Sequence, residues 1–218
     1  MYLKIMSNPR QIAFEALMKT VRDGAFSNLA LDGVLSKTNL DTRDKSFVSA
    51  LFYGTIERKL TIDYQLSKYL SKPLKKLKPE VLIILELGAY QILFMDKVPD
   101  SAAVNESVML AKKNGLSFAS GLINAVLRKV SQNGIILPNE KDKINYLSIK
   151  YSCPTEYIEL WFNELGEEDT VSFLDSTVGE AGLIVRVNTC KCTAEKLIEL
   201  LAYEGVQAEK TYINNALS

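Results

Sequence analysis

Histidine is absent from all 218 residues. That removes the commonest general acid-base and the commonest metal ligand together, so histidine-dependent triads and histidine-type zinc sites are excluded. Cysteine is almost as scarce, with only Cys153, Cys190 and Cys192. An odd, scattered set of thiols builds no disulfide scaffold and fits a reducing compartment, so a cytoplasmic location is expected. A cysteine-only zinc centre would need about four thiolates, so no metal is expected. Neither Gly-x-Gly-x-x-Gly nor Gly-x-x-x-x-Gly-Lys-[Ser/Thr] occurs. The usual backbone cradles for nucleotide phosphates are therefore missing, and no cofactor is expected in this segment. Long apolar runs are lacking too. The greasiest stretch, Val81 to Met95, is interrupted by Glu86, Gly88 and Gln91 and is shorter than the roughly 20 residues that cross a bilayer. Met1 to Met6 offers neither the apolar core nor the cleavage site of a signal peptide. No membrane partner is expected.

What is present is core-forming material: 47% of the residues are hydrophobic and 24% charged, enough for one large domain or one medium and one small. Ser7-Asn8-Pro9 starts a first helix, along which Ile12, Ala13, Ala16, Leu17 and Val21 recur at helical spacing until Gly24. Ser27 is the expected cap of a second helix, and Asp41 with Asp44 gives a third an acidic first turn. Ile62, Leu66 and Leu70 mark a fourth, stopped by Pro73. Pro79 opens a fifth that is apolar on nearly every face, as the central helix of a bundle must be. Asp100-Ser101 and Ser117 are the expected caps of a sixth and a seventh, the last ending at Gly134. The fold class expected is mainly α, a helical bundle over 1–133. A helical linker region follows over 134–178. A partial β-α-β subdomain occupies 179–218, with strands at Leu183–Val187 and Val206–Ile213 around a helix capped by Thr193. A chain stopping just after such a unit reads as cut short, because two strands and a helix bury little surface.

The net charge of zero conceals a division. Residues 1–133 hold 19 Lys and Arg against 12 Asp and Glu; residues 134–218 hold 7 against 14. A basic half points to a polyanion, since lysine and arginine release the counterions condensed on phosphates. The charge is densest at Lys68, Lys72, Lys75, Lys76 and Lys78, with no acid between Asp63 and Glu80. As phosphate contacts these would position RNA without reading its sequence; as a solvated loop they would only keep the bundle soluble. Arg10, Arg58, Lys59, Lys113 and Arg128 complete the expected RNA-binding set. Tyr53, Tyr64 and Tyr69 are candidates for stacking on unpaired bases, and Tyr90 for core packing. Asn105 and Asn124 are expected to bridge helices as buried amides. Cys153 and Cys190, in Cys153-Pro154 and Thr189-Cys190, resemble dipeptides found at nucleophilic cysteines of RNA cytosine methyltransferases. Their acidic surroundings favour ordinary thiols, and no catalytic residue is expected.

Five strings carry a family resemblance: Arg10-Gln11-Ile12-Ala13, Tyr53-Gly54-Thr55-Ile56-Glu57-Arg58, Leu87-Gly88-Ala89-Tyr90-Gln91, Ala103-Val104-Asn105-Glu106-Ser107 and Gly121-Leu122-Ile123-Asn124-Ala125-Val126-Leu127-Arg128. Together they resemble the NusB-like RNA-binding domain, more closely as it is fused in the Sun/Fmu (RsmB) family of 16S ribosomal-RNA cytosine-C5 methyltransferases. Tyr151-Ser152-Cys153-Pro154 and Arg186-Val187-Asn188 resemble that family's linker and small subdomain. The resemblance implies 16S ribosomal RNA as partner, and S-adenosylmethionine as cofactor of a C-terminal methyltransferase domain that this segment does not contain. The alternative is a NusB-like transcription antitermination factor that binds RNA and a protein. An enzyme complete in itself is disfavoured by the missing histidines and cofactor loops.

Overall fold

A computed structural model of the chain describes residues 8–179 and 182–218. It is mainly helical, as the periodicities predict. The first seven helices are α1 (Pro9–Asp23), α2 (Ser27–Leu35), α3 (Thr42–Glu57), α4 (Lys59–Ser67), α5 (Pro79–Phe94), α6 (Asp100–Lys113) and α7 (Ser120–Asn133). Short 3-10 turns at Leu74–Lys76 and Ser117–Ala119 precede α5 and α7. Then come α8 (Lys143–Tyr151), α9 (Thr155–Leu165), α10 (Glu167–Ser176), the strand β1 (Val185–Arg186), α11 (Ala194–Tyr203) and β2 (Ala216–Leu217).

Local chemistry sets most boundaries. Asn8 Oδ1 accepts from the Arg10 amide and Pro9 fills the first turn of α1, which ends at Gly24 in the left-handed region (φ 66°); Ser7 lies outside the described residues. Asp41 caps α3 by accepting from the Asp44 amide. Thr193 caps α11 as expected, accepting from the Lys196 amide, whereas the caps expected at Ser27, Asp100 and Ser117 differ. Ser27 is already helical, behind Phe26, with no side-chain cap bond. Asp100 is the first residue of α6, its carboxylate accepting from Ser131 Oγ at 2.6 Å. Ser117 opens a 3-10 turn, and α7 starts three residues later.

The chain divides into two compact units, Met1–Ser172 and Phe173–Ser218. In the first, α5 is the axis, with Val81, Ile83, Ile84, Leu85 and Leu87 all buried; each such side chain contributes about 1.5–3 kcal/mol of burial. Two glycines let the helices close on it. A Cβ at Gly54 of α3 would lie 2.0 Å from the ring of Tyr90, and one at Gly88 of α5 would lie 2.5 Å from Leu127 and 2.7 Å from Ser107 Oγ. Asn105 is exposed, and the half-buried Asn124 accepts from Arg128 on its own helix. The bridging amides are instead Gln65 and Gln91, both buried. Gln65 exchanges two 2.9 Å hydrogen bonds with the backbone of Ile136. Thr61 Oγ1 donates to the Ile149 carbonyl, and the Ser152 hydroxyl accepts from the Leu60 amide. The stretch after Gly134 is therefore clasped to α4.

In the second unit β1 and β2 pair antiparallel, Val185 with Leu217 and Arg186 with Ala216. The second strand is thus Ala216–Leu217 and not Val206–Ile213. Lys210 bridges to Leu217, and Glu209 and Ser218 exchange backbone bonds across a turn with Asn215 at φ 58°. An extended pattern in sequence does not reveal which stretch will find a partner.

Candidate nucleic-acid interface

Residues 68–78 form a loop whose apolar members point inward and whose lysines point outward. Leu70, Leu74 and Leu77 pack on the core, while Lys72, Lys75, Lys76 and Lys78 are exposed. A single 3-10 turn produces this separation, closed by Lys76 N–H to the Pro73 carbonyl and Leu77 N–H to the Leu74 carbonyl, both 2.9 Å. Lys68 lies over the Tyr64 ring at 4.1 Å. Lys78 reaches the ring of Phe118, 5.0 Å from its centroid. Lys72, Lys76, Lys78, Phe118 and Leu122 share one concave groove of about 340 Å³. Phe118 is 68% exposed. Phe118 did not stand out in the sequence, and Leu122, whose helical spacing puts it with the buried stripe of α7, is exposed here instead; an aromatic in a solvent-facing turn is visible only once the lysine loop is seen beside it.

The other cations have different surroundings. Arg10 is half-buried: its Nε donates to Gln91 Oε1 at 2.7 Å and its guanidinium sits 5.1 Å over Phe47. Burial lowers its pKa, opposed by Glu106. Arg58 is tucked under Phe94 at 5.5 Å and lies 3.8 Å from Glu57. Lys59 pairs with Asp63 at 3.1 Å and with Glu86, a carboxylate buried on α5. Burial pushes Glu86 up to about 7, more than Lys59 pulls it down. Burial alone would lower Lys59, but Glu86 and Asp63 together raise it. Lys59 therefore keeps its charge, and burial holds the Glu86 carboxyl protonated further up the pH scale than an exposed one. Lys113 and Arg128 are exposed, away from the lysine loop in sequence.

Tyr53 is 43% exposed, edge-on to Phe52, and Tyr64 and Tyr69 are half-buried. Tyr90 is inserted against Gly54 and stacks on Phe94, a packing role. Burial raises the Cys153 thiol, the opposite of what a nucleophile needs. Among the described residues, no three His, Cys, Asp or Glu side chains gather as metal ligands. No helix there is long and apolar enough to cross a membrane.

The probable ribosomal RNA small subunit methyltransferase B of Bacillus subtilis is 32% identical over 202 residues, which is 92% of this chain and 45% of that protein. The chain thus spans about half the length of that relative. The transcription antitermination protein NusB of Clostridium tetani is 38% identical over 97 residues, 44% of this chain and 63% of that protein. Among solved structures, the crystal structure of PH0851 superposes with a TM-score of 0.64 at 20% identity, covering 99% of this chain and 49% of that one, a likeness of fold. Residues 7–132, the seven-helix bundle that holds the lysine loop, match the NusB family, and the chain belongs to it.

Proposed function

We propose that this chain is the RNA-docking part of an S-adenosylmethionine-dependent 16S ribosomal-RNA (cytosine-C5) methyltransferase, working in the cytoplasm. Residues 1–133 hold the RNA, residues 134–178 connect, and residues 179–218 begin a small α/β subdomain. Methyl transfer belongs to the half of the relatives' length that this chain does not span, and S-adenosylmethionine is bound there. The observation that carries the reading is the groove that Lys72, Lys76 and Lys78 line together with the exposed ring of Phe118, which Lys78 reaches. Ammonium groups beside an open aromatic face suit phosphates next to an unstacked base. Lys68, Lys75, Lys113 and Arg128 are exposed and free to add phosphate contacts. Arg10, Arg58 and Lys59 are largely engaged inside the protein, so their part is to hold the bundle that presents the loop.

The similarity to an antitermination NusB keeps a second reading open, a regulator that binds RNA and a protein. Two observations favour the first. A match of 202 residues to methyltransferase B must run past the bundle, whereas the NusB match takes 97. Among the described residues, the side chain of the buried Gln65 finds its partners in the stretch after Gly134. The test is anisotropy of a labelled 16S ribosomal-RNA fragment titrated with the chain at low salt. Affinity should fall with salt, and Lys75→Glu/Lys76→Glu/Lys78→Glu should abolish it. Unchanged affinity in the reversed variant would sink the assignment.

A further inference from the structure

A second basic concavity is lined by a different set of bundle residues. Lys19 of α1, Lys37 just after α2 and Lys113 at the end of α6 line one cleft of about 360 Å³, together with Asn8, Gln11 and Thr38. None of the three lysines has an acidic partner among the described residues. The one carboxylate in the lining, Glu15, accepts a 2.9 Å hydrogen bond from Gln11, which is itself held by Asn114. Lys37 and Lys113 each suit a helix C-terminus, whose partial negative charge favours a cation. That accounts for one charge at each end, but not for three drawn from separate elements around a single hollow. Like charges gathered in this way repel, a cost that an anion removes.

We infer that this cleft is a second phosphate-binding site, taking the backbone of an RNA strand whose other contacts lie at the lysine loop. The inference rests on the RNA-docking reading. The docking reading supplies RNA as the source of the phosphates, and titration with RNA and with phosphate separates it from a free anion; Glu15 and Lys19 also line a neighbouring hollow, of about 370 Å³, which extends to Glu80. The lysines, with no readout of base edges, would set the direction of the strand and not its sequence.

The experiment compares the chain, Lys19→Gln/Lys37→Gln/Lys113→Gln, and Lys72→Gln/Lys76→Gln/Lys78→Gln, in titrations of one long single-stranded RNA across a salt series. Circular dichroism melts check that each variant folds. Losing three phosphate contacts should reduce the slope of log affinity against log salt by about 2 and weaken binding on the order of tenfold. Both triple variants are expected to do so, and their effects to add. If the cleft variant matches the parent while the loop variant weakens, the inference is overturned and the docking reading stands. If neither variant weakens binding, both fall. Inorganic phosphate is the remaining probe, followed by NMR. Phosphate shifts at the three lysines that vanish in the cleft variant, with RNA affinity unchanged, would make the cleft a free-anion site and overturn the RNA assignment.

Discussion

At Gly54 the approach of Tyr90 leaves no room for a Cβ, which would sit 2.0 Å from the ring. Gly54→Ala should therefore cost about 1–3 kcal/mol in urea denaturation, the usual result of overpacking, while leaving RNA contacts at the lysine loop in place. Lys59 sits against the buried Glu86 carboxylate, and Lys59→Met removes the cation that favours its charged form, so the loss of stability in the same measurement should be small at low pH and grow as pH rises. Glu86 also makes stability depend on pH. Its folded pKa is raised from 4.5 to about 7, so the folded state binds the proton more tightly than the unfolded chain. Its contribution is fully present below pH 4.5 and is lost as pH rises through about 7. Glu86→Gln, which cannot ionise, should flatten the fall in unfolding free energy across that window. An unchanged pH profile in this variant would assign the dependence to another group.

Among the elements, α4 does the most to join separate parts of the chain. Its Gln65 binds both backbone groups of Ile136, and Thr61 and the Leu60 amide bind the C-terminal end of α8. Gln65→Ala removes both hydrogen bonds to the Ile136 backbone, which are part-buried, at a cost of about 0.5–1.5 kcal/mol for each bond. The Ile136 amide should then exchange with deuterium much faster, while the amides of α5 keep their protection. Equal exchange at Ile136 in both proteins would show that the clasp is held by other contacts. The lysine loop depends on its element in the same way. Leu74 and Leu77 anchor the 3-10 turn, so replacing them with Ser should weaken RNA binding although no charge is removed.

For the whole molecule, the two compact units differ in how much they bury. The bundle encloses the apolar faces of α1 to α7, whereas α11 has no fully buried residue, and the second unit's small core is Leu174, Val187, Ala216 and Leu217. Hydrogen exchange over 183–218 should accordingly be orders of magnitude faster than in α5, because the local opening free energy follows the buried contacts. Matching protection in the two units would contradict this.

Residue chemistry in the sequence accounts for the seven bundle helices, since apolar spacing, Asn8, Asp41, Pro79 and the glycines act locally and need no partner. It also marked the lysine loop, because Pro73 and Pro79 interrupt the helices within a stretch that has no acid between Asp63 and Glu80. The strings that carry the family resemblance were legible as a pattern, but not as the packing of Gly54 on Tyr90 or the bond from Arg10 to Gln91. Contacts between residues far apart in the chain decided the rest. Asn105 turned outward while Gln65 and Gln91 took the buried amide roles, Phe118 came to lie beside Lys78, and β1 paired with Ala216–Leu217. Helices close their own hydrogen bonds and so can be read from neighbouring residues, but a strand, a buried amide and a shared charged surface each need a distant partner, which only tertiary packing supplies.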